Sequence, residues 1–417
     1  MLNLIKKLKP NLGRYTPDKI VGMLADDDLL EEIEKANHPK YLYFDEIKDL
    51  PAGLEAEKFW ALVKAGRKYS SRQMPMQNFN ERKFLLTSLF KHNEILFKLD
   101  ASYAGKPEKL PQSAIANWAV FSAKIEDANI KPKAAIKYLL EASSAKTPAL
   151  QNAKNAYVLF NNILSAENIT EEILLGIAQE NRFRNEDERF VYSAANPQMI
   201  CYIAPANNIF NSELKKLLAF ANNTDVSVFI HPIARAIALM FWVIILNPLP
   251  KNNYVLALAL YCLYLQKNGY TKLAQLNIAA QICLHLKEFS NAITCAAQDD
   301  NDYTYFQDLI LRMIILAEAE NEKQLSQQQD FEGKILPSIQ ANTGLNKRQS
   351  ELIYNLQKAK NARTNFSAYM KENKITRKTA ADDLKKLERE GYVKTQKIGR
   401  NIFYYATPKA ELAMNLK

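Results

Sequence analysis

Residues 233–246 read IARAIALMFWVIIL, apolar on every helical face except at Arg235. A run of this length is too short to cross a bilayer, whose hydrocarbon core takes about 20 apolar residues. It reads instead as the central helix of a globular core, covered on all sides by other elements. Pro248 and Pro250 follow at once and stop it, since neither can continue a helix. A second helix begins at Asn252 or Asn253, residues suited to capping, and runs to about Asn268 with Gly269 at its end. Two buried helices are therefore predicted, joined by the polar turn NPLPKNN. Such a turn presents unpaired N–H groups and the positive end of a helix dipole, the makings of an anion site.

With 417 residues the chain is long enough for two or three domains. Apolar residues make up 48% and charged residues 24%, the balance of a soluble globular protein rather than a disordered one. The start, MLNLIKKLKPNLGRY, lacks the apolar stretch and cleavage site of a signal peptide, and no membrane partner is expected. Cys201, Cys262, Cys283 and Cys295 show no paired or metal-ligand spacing, so they read as buried free thiols of a reducing cytoplasm. His38, His92, His231 and His285 do not cluster either, and no metal site built from protein ligands alone is expected. Net charge is +10, and all of it lies at the end: residues 343–417 hold 17 Lys and Arg against 7 Asp and Glu. That asymmetry points to an acidic partner for the C-terminal module, nucleic acid first.

Ahead of the central pair, residues 17–36, 54–69 and 78–99 carry helical periodicity and form an N-terminal helical layer over 1–108. Residues 113–165 are again helical. The tracts 189–192 and 199–205, with a turn at Asn196-Pro197, predict a β-hairpin. After the pair come a helix over 276–287 and another, entered through DNDYTYF, that reaches Ala319. Residues 321–342 are a polar, Gln-rich connector, helical or extended.

The module 343–417 shows helices at 346–358 and 365–372, then a third at 377–390 with Thr376 as its N-cap and Gly391 at its end. Strands at 392–398 and 401–406 follow, turning at Gly399-Arg400. Leu384 and Leu387 face inward while Arg377, Lys378, Lys385 and Arg389 face outward. Helices in this order with a basic wing make a winged helix-turn-helix, which lays one helix in a DNA major groove. Its DNA-binding candidates are Thr376, Arg377, Lys378, Lys385, Lys397 and Arg400. Asp382-Asp383 speaks against this, because two carboxylates facing DNA repel phosphate. A dimerisation or docking module with a solvated basic face is the alternative.

The turn also carries a family resemblance. Helix, H-P-F-x-[D/E]-G-N-G-R-x-x-R loop, helix is the signature of the Fic (Fido) domain, whose enzymes move AMP from ATP to a protein hydroxyl. Residues 247–258 resemble it with most reactive groups replaced. Asn247 stands at the histidine base, Pro248 is kept, and Lys251 replaces the acidic residue that holds Mg²⁺. Asn252, Asn253 and Tyr254 replace Gly-Asn-Gly, and Val255 and Leu258 replace the phosphate-binding arginines. FSAKIED, at 121–127, resembles the family's inhibitory motif through Ser122 and Glu126, but the arginine its glutamate pairs with is Leu258 here. The hairpin, with Ile200, Cys201 and Tyr202 in its second strand, resembles the flap that pins a target segment by strand addition. A plain hairpin covering an apolar edge is the alternative. The DNDYTYF tract and the C-terminal module resemble parts of the same subgroup.

The resemblance implies a mainly α fold: an N-terminal helical leader (1–108), a Fic-type helical core with a β-hairpin flap (109–320), the connector and the winged helix. It implies a protein without the usual histidine-dependent AMP transfer, acting as a binding or regulatory protein through tail and flap. The alternative is a Fic-class adenylyltransferase with a remodelled site. Partners in prospect are DNA, a protein target, an active Fic homologue or a second copy. ATP would bind through Lys251, Asn252 and Asn253, with Lys251 in place of Mg²⁺. The opposing reading is a closed, empty loop with Lys251 at the surface and Tyr254 filling the phosphate space.

Overall fold

The computed structural model describes residues 22, 26–48, 50–51, 53–141, 147–178, 180–224, 229–358, 362–398 and 401–415. Residues 17–21 and 23–25 of the helix expected over 17–36, and Arg400 with Gly399, lie outside the described residues. The chain forms two units, Met1–Glu318 and Ala319–Lys417.

The first unit is mainly helical. It opens with α1 (Asp27–Lys35) and α2 (Ala56–Tyr69) and continues through an antiparallel hairpin, β1 (Ser71–Gln77) and β2 (Lys83–Thr87). Then come α3 (Phe90–Tyr103), α4 (Gln112–Glu126), α5 (Pro132–Leu140), α6 (Pro148–Ser165) and α7 (Glu171–Ile177). A second hairpin, β3 (Phe190–Tyr192) and β4 (Ile200–Ile203), precedes α8 (Asn207–Ala221), α9 (Pro232–Leu246) and α10 (Asn253–Lys267). The unit closes with α11 (Thr271–Gln275), α12 (Ile278–Leu284), α13 (Leu286–Gln298) and the start of α14 (Thr304–Asp330).

The apolar run behaves as its sequence dictates. Every residue from Ile233 to Leu246 in α9 is buried, including Arg235, which donates from its guanidinium to the Phe220 carbonyl at 3.0 Å. That pairing, with the guanidinium 4.1 Å from the Phe220 ring centre, is how the one charge is accommodated. Side chains of α4, α6, α9, α10 and α14 make one continuous core. Gly269 ends α10 at φ +85°, and a Cβ there would stand 2.2 Å from the Gly105 carbonyl oxygen, so the two backbones meet where no side chain fits.

The helix expected over 78–99 is corrected. Residues 83–87 are strand, and α3 starts at Phe90. Met74, Met76, Phe84 and Leu86 are buried from the hairpin into the main core, so the expected leader 1–108 shares its interior with the residues that follow. Pro75 sits where the β1–β2 register shifts, between Gln73 and Gln77, the place a strand tolerates a missing N–H. The helix expected at 276–287 is two, α12 and α13, meeting at His285. Of the four cysteines, all free, Cys201 and Cys262 are buried while Cys283 and Cys295 are only partly so. Among the described residues no helix is long and apolar enough to cross a membrane.

In the second unit α14 runs on to Asp330, past the Ala319 expected, and α15 (Leu336–Thr343) follows a π turn. The expected connector is thus helical and its end is buried through Leu336 and Ile339. Next come α16 (Lys347–Lys358), β5 (Thr364–Asn365), α17 (Phe366–Asn373) and α18 (Arg377–Arg389). Strands β6 (Val393–Ile398) and β7 (Asn401–Ala406) then form a three-stranded sheet in the order β5-β7-β6, and α19 (Pro408–Asn415) ends the chain. Ile353, Tyr369, Ala380, Leu384, Leu387 and Ala410 are the centre of its separate core.

Candidate functional site

Asparagine sets both corners of the turn between α9 and α10. Asn247 and Asn252 hold left-handed backbone conformations, φ 49° and 65°. Asparagine accepts that region more readily than most residues because its short amide can bond locally. Asn253 closes the turn: its Oδ1 accepts from the Leu249 N–H at 2.9 Å and its Nδ2 donates to the Leu249 carbonyl at 2.7 Å. Asn247 Nδ2 donates to the Glu188 carbonyl at 3.0 Å, and the Arg184 N–H to the Pro248 carbonyl at 3.0 Å. The Arg184 guanidinium donates to the carbonyls of Leu246 and Pro205 and to Asn207 Oδ1. Burial, helped by the neighbouring Arg189 charge, pulls its pKa down to about 10.

The cap of α10 differs from expectation. Asn252 provides no side-chain cap, and the amide of Asn253 is engaged by Leu249. The first N–H groups of α10 go instead to Glu126, the last residue of α4. Its Oε2 accepts from the Asn252 N–H and its Oε1 from the Tyr254 N–H, both at 2.9 Å. The N–H groups expected to stand unpaired in the turn are thus taken up by the chain's own carboxylate. Among the described residues no arginine pairs with Glu126. Glu126 keeps an exposed side, yet the surrounding protein raises its carboxyl pKa, while amides of Tyr254, Asn252 and Val255 pull it down in part.

Ser122, one turn earlier on α4, is fully buried, and its hydroxyl has no hydrogen-bond partner among the described residues. It takes no part in the Glu126 contact. Tyr254 closes the turn from another side: its ring lies 5.7 Å from that of Phe289, and its hydroxyl donates to the Tyr192 carbonyl of β3 at 3.2 Å. Val255 and Leu258 are buried in the core, so the two arginine positions face apolar neighbours. Lys251 is exposed, and among the described residues no hydrogen bond or ion pair engages it.

Asn247 cannot accept a proton at neutral pH, so the site has no general base where the family resemblance puts one. The donor set does not fit Mg²⁺. The groups that converge there are backbone N–H donors, which favour an anion over a cation that needs oxygen ligands, and the family's acidic position holds Lys251. Without Glu126 the same amides fit a phosphate oxygen.

In the hairpin, Cys201 and Tyr202 bury their side chains, and Ile200 stays partly exposed. Arg184, Glu188 and Tyr192 tie the hairpin to the turn; Arg184 and Tyr192 stood out in the sequence only as part of the hairpin tract, and Glu188 not at all. Three of those ties use main-chain atoms, which no residue type announces.

In the second unit the basic candidates that are described are exposed, and Arg400 lies outside the described residues. Thr376 caps α18, accepting from the Thr379 N–H at 3.3 Å, and Arg377, Lys378 and Lys385 are exposed along that helix. Lys394 and Lys397 are exposed on β6. The objection raised by Asp382-Asp383 is corrected for one of them: Asp383 points into the unit and is 5% exposed. Only Asp382 stands outside.

Scanned against models of protein families the sequence matches none, and no curated protein matches it. Among solved structures, a Fic family protein from Desulfovibrio desulfuricans G20 aligns at TM-score 0.45 and 14% identity, over 76% of this chain and 95% of that one. Fic-1 (residues 134–508) from C. elegans aligns at 0.41 and 14%, over 79% and 92%. A Fic domain containing signaling protein from Bacteroides thetaiotaomicron VPI-5482 aligns at 0.37 and 14%, over 54% and 95%. All three of these solved structures are of Fic family or Fic domain proteins.

Proposed function

We propose that this chain is a Fic-type protein that does not carry out histidine-dependent AMP transfer and acts by binding, as a regulator or scaffold. The observation that carries this reading is the Glu126 carboxylate seated on the first amides of α10, in a turn with no base. Transfer of AMP needs a base at the target hydroxyl, a metal or its equivalent, and donors for the developing charge. Loss of a general base alone costs about 10²- to 10⁴-fold. The buried Val255 and Leu258 leave no cation for the phosphates at those positions.

Binding then falls to the second unit, a winged helix whose α18 and β6 offer Arg377, Lys378, Lys385 and Lys397 to duplex DNA. Calorimetric titration of the whole chain with ATP, ADP and AMP, with and without Mg²⁺, tests the first half. Absence of heat is expected, and tight Mg²⁺-dependent binding overturns it. Fluorescence titration with duplex DNA at several salt concentrations tests the second half. An affinity that falls with salt is expected, and absence of binding at low salt overturns it.

One observation favours a second reading, an adenylyltransferase with a remodelled site: the α10 amides keep the geometry to hold an anion once Glu126 is gone. Labelled ATP incubated with Glu126→Ala separates the two. Label appearing on protein supports the enzyme.

A further inference from the structure

Two adjacent aspartates in the second unit have opposite surroundings. Asp383 is buried and accepts from Asn346 Nδ2 at 3.0 Å, Gln349 Nε2 at 2.9 Å, Arg348 Nε at 3.0 Å and the Tyr369 hydroxyl at 3.1 Å. Four donors from α16, its leading residue and α17 converge on one carboxylate, which holds α18 to both helices. Asp382 is exposed, and among the described residues no hydrogen bond or ion pair engages it. No described residue pairs with its charge.

Its position is specific nonetheless. Helix α18 buries Ala380, Asp383, Leu384 and Leu387. At about 100° per residue, the direction opposite that set runs through Lys378, Asp382, Lys385 and Arg389. The outermost ridge of the helix thus reads basic, acidic, basic, basic. Asp382 is the single acid on it, placed between Lys378 and Lys385.

A ridge built only for phosphate gains nothing from a carboxylate at its centre, since phosphate oxygens offer it no donor. Base edges do. In the major groove cytosine presents its N4 amino group and adenine its N6 amino group, while guanine and thymine present acceptors at O6, N7 and O4. A carboxylate accepts from the first pair and is repelled by the second. A helix in that groove turns the middle of its outward face to base edges, and flanking lysines reach the backbone.

We infer that Asp382 is a base-reading residue, selecting an amino-bearing base, cytosine foremost, at the centre of the α18 footprint on duplex DNA. This rests on the duplex-binding reading of the second unit. Lys378, Lys385 and Arg389 supply the phosphate and guanine contacts around it. The charge that weakens non-specific attraction is the one that gives discrimination.

The test is selection of the whole chain on a randomised duplex library, followed by sequencing, for the natural protein, Asp382→Ala and Asp382→Asn. The natural protein is expected to enrich a motif with cytosine at one position, favoured about five- to a hundredfold over guanine or thymine. Asp382→Ala loses the preference at that position alone and binds unselected duplex more tightly. Asp382→Asn, the same size without the charge, moves the preference toward adenine. An identical motif from natural and alanine proteins overturns the inference and leaves duplex binding standing. So does retention of duplex without any motif. No retention of duplex by the natural protein overturns the binding reading itself, and this inference with it.

Discussion

Replacing Glu126 by alanine removes the acceptor for the Asn252 and Tyr254 amides at the start of α10, where no asparagine side chain stands ready to take over. Loss of an N-cap acceptor costs about 0.5–2 kcal/mol, and loss of a negative charge at a helix N-terminus a further ~0.3–1 kcal/mol. Two features reduce the sum. Solvent reaches the residue and can hydrate the freed amides, and the desolvation that raises the Glu126 pKa already offsets part of what the amides contribute. A net loss of about 1 kcal/mol is expected, at the lower end of the capping range. For a unit of this size that moves the unfolding midpoint by about 2 °C. Inorganic phosphate sharpens the test, because an anion on the vacated amides restores stability, by about 2.7 kcal/mol at one hundred times its Kd. Scanning calorimetry should therefore show a lowered midpoint for Glu126→Ala that phosphate raises, and a natural protein that phosphate leaves alone. An unchanged midpoint for the variant without phosphate refutes the capping argument. Equal phosphate responses from both proteins refute the claim that Glu126 covers the amides.

Asp383→Ala leaves the buried Gln349 amide and Tyr369 hydroxyl without an acceptor, while the part-exposed Arg348 returns to solvent, so urea unfolding of the second unit should lose about 2–3 kcal/mol. A loss below 1 kcal/mol contradicts that role. Gly269→Ala sets a Cβ into the Gly105 carbonyl at a positive φ and should destabilise by about 2 kcal/mol or more. Gly105→Ala, whose Cβ meets only an ordinary 3.7 Å contact, should be close to neutral, and equal losses from the two glycines contradict the packing argument. Burial works against ionisation of Asp308, but hydrogen bonds and charge from His92 and Lys91 outweigh it and hold the carboxyl below the usual range. Its contribution is present above the ordinary aspartate pKa of about 3.9 and is lost as pH falls through the lower folded value. Asp308→Asn should flatten the stability profile below about pH 4, and an unchanged acid limb counts against it.

The sequence revealed the molecule where one residue type does one job over many positions. The apolar run at 233–246 could only be a buried helix, and α16, α17, α18, β6 and β7 of the last module follow from caps, breakers and alternation, whereas the two-residue β5 and the terminal α19 were not foreseen. The first hairpin escaped because β1, SRQMPMQ, carries a proline and four polar residues, composition that argues against a strand. What betrayed it was Met74 and Met76 alternating with Phe84 and Leu86 across the turn, visible only once they are paired. Glu126 was found by resemblance and left without a partner, because main-chain N–H groups carry no letter in a sequence. Asp382 and Asp383 look alike for the opposite reason: their difference lies in which way α18 turns, and only the helix phase against Leu384 and Leu387 separates them.

The turn at 247–252 is held at both corners by left-handed asparagines and bridged within by Asn253. Those bonds do not involve Glu126, so an anion that displaced it would find the turn braced from within. The entropy change of the exchange belongs to one side chain. A glutamate set free regains about 1.5–2 kcal/mol of rotamer freedom. Displacing the plug is therefore easier than forming the cradle afresh, and selectivity for what replaces it must come from the walls around the cradle.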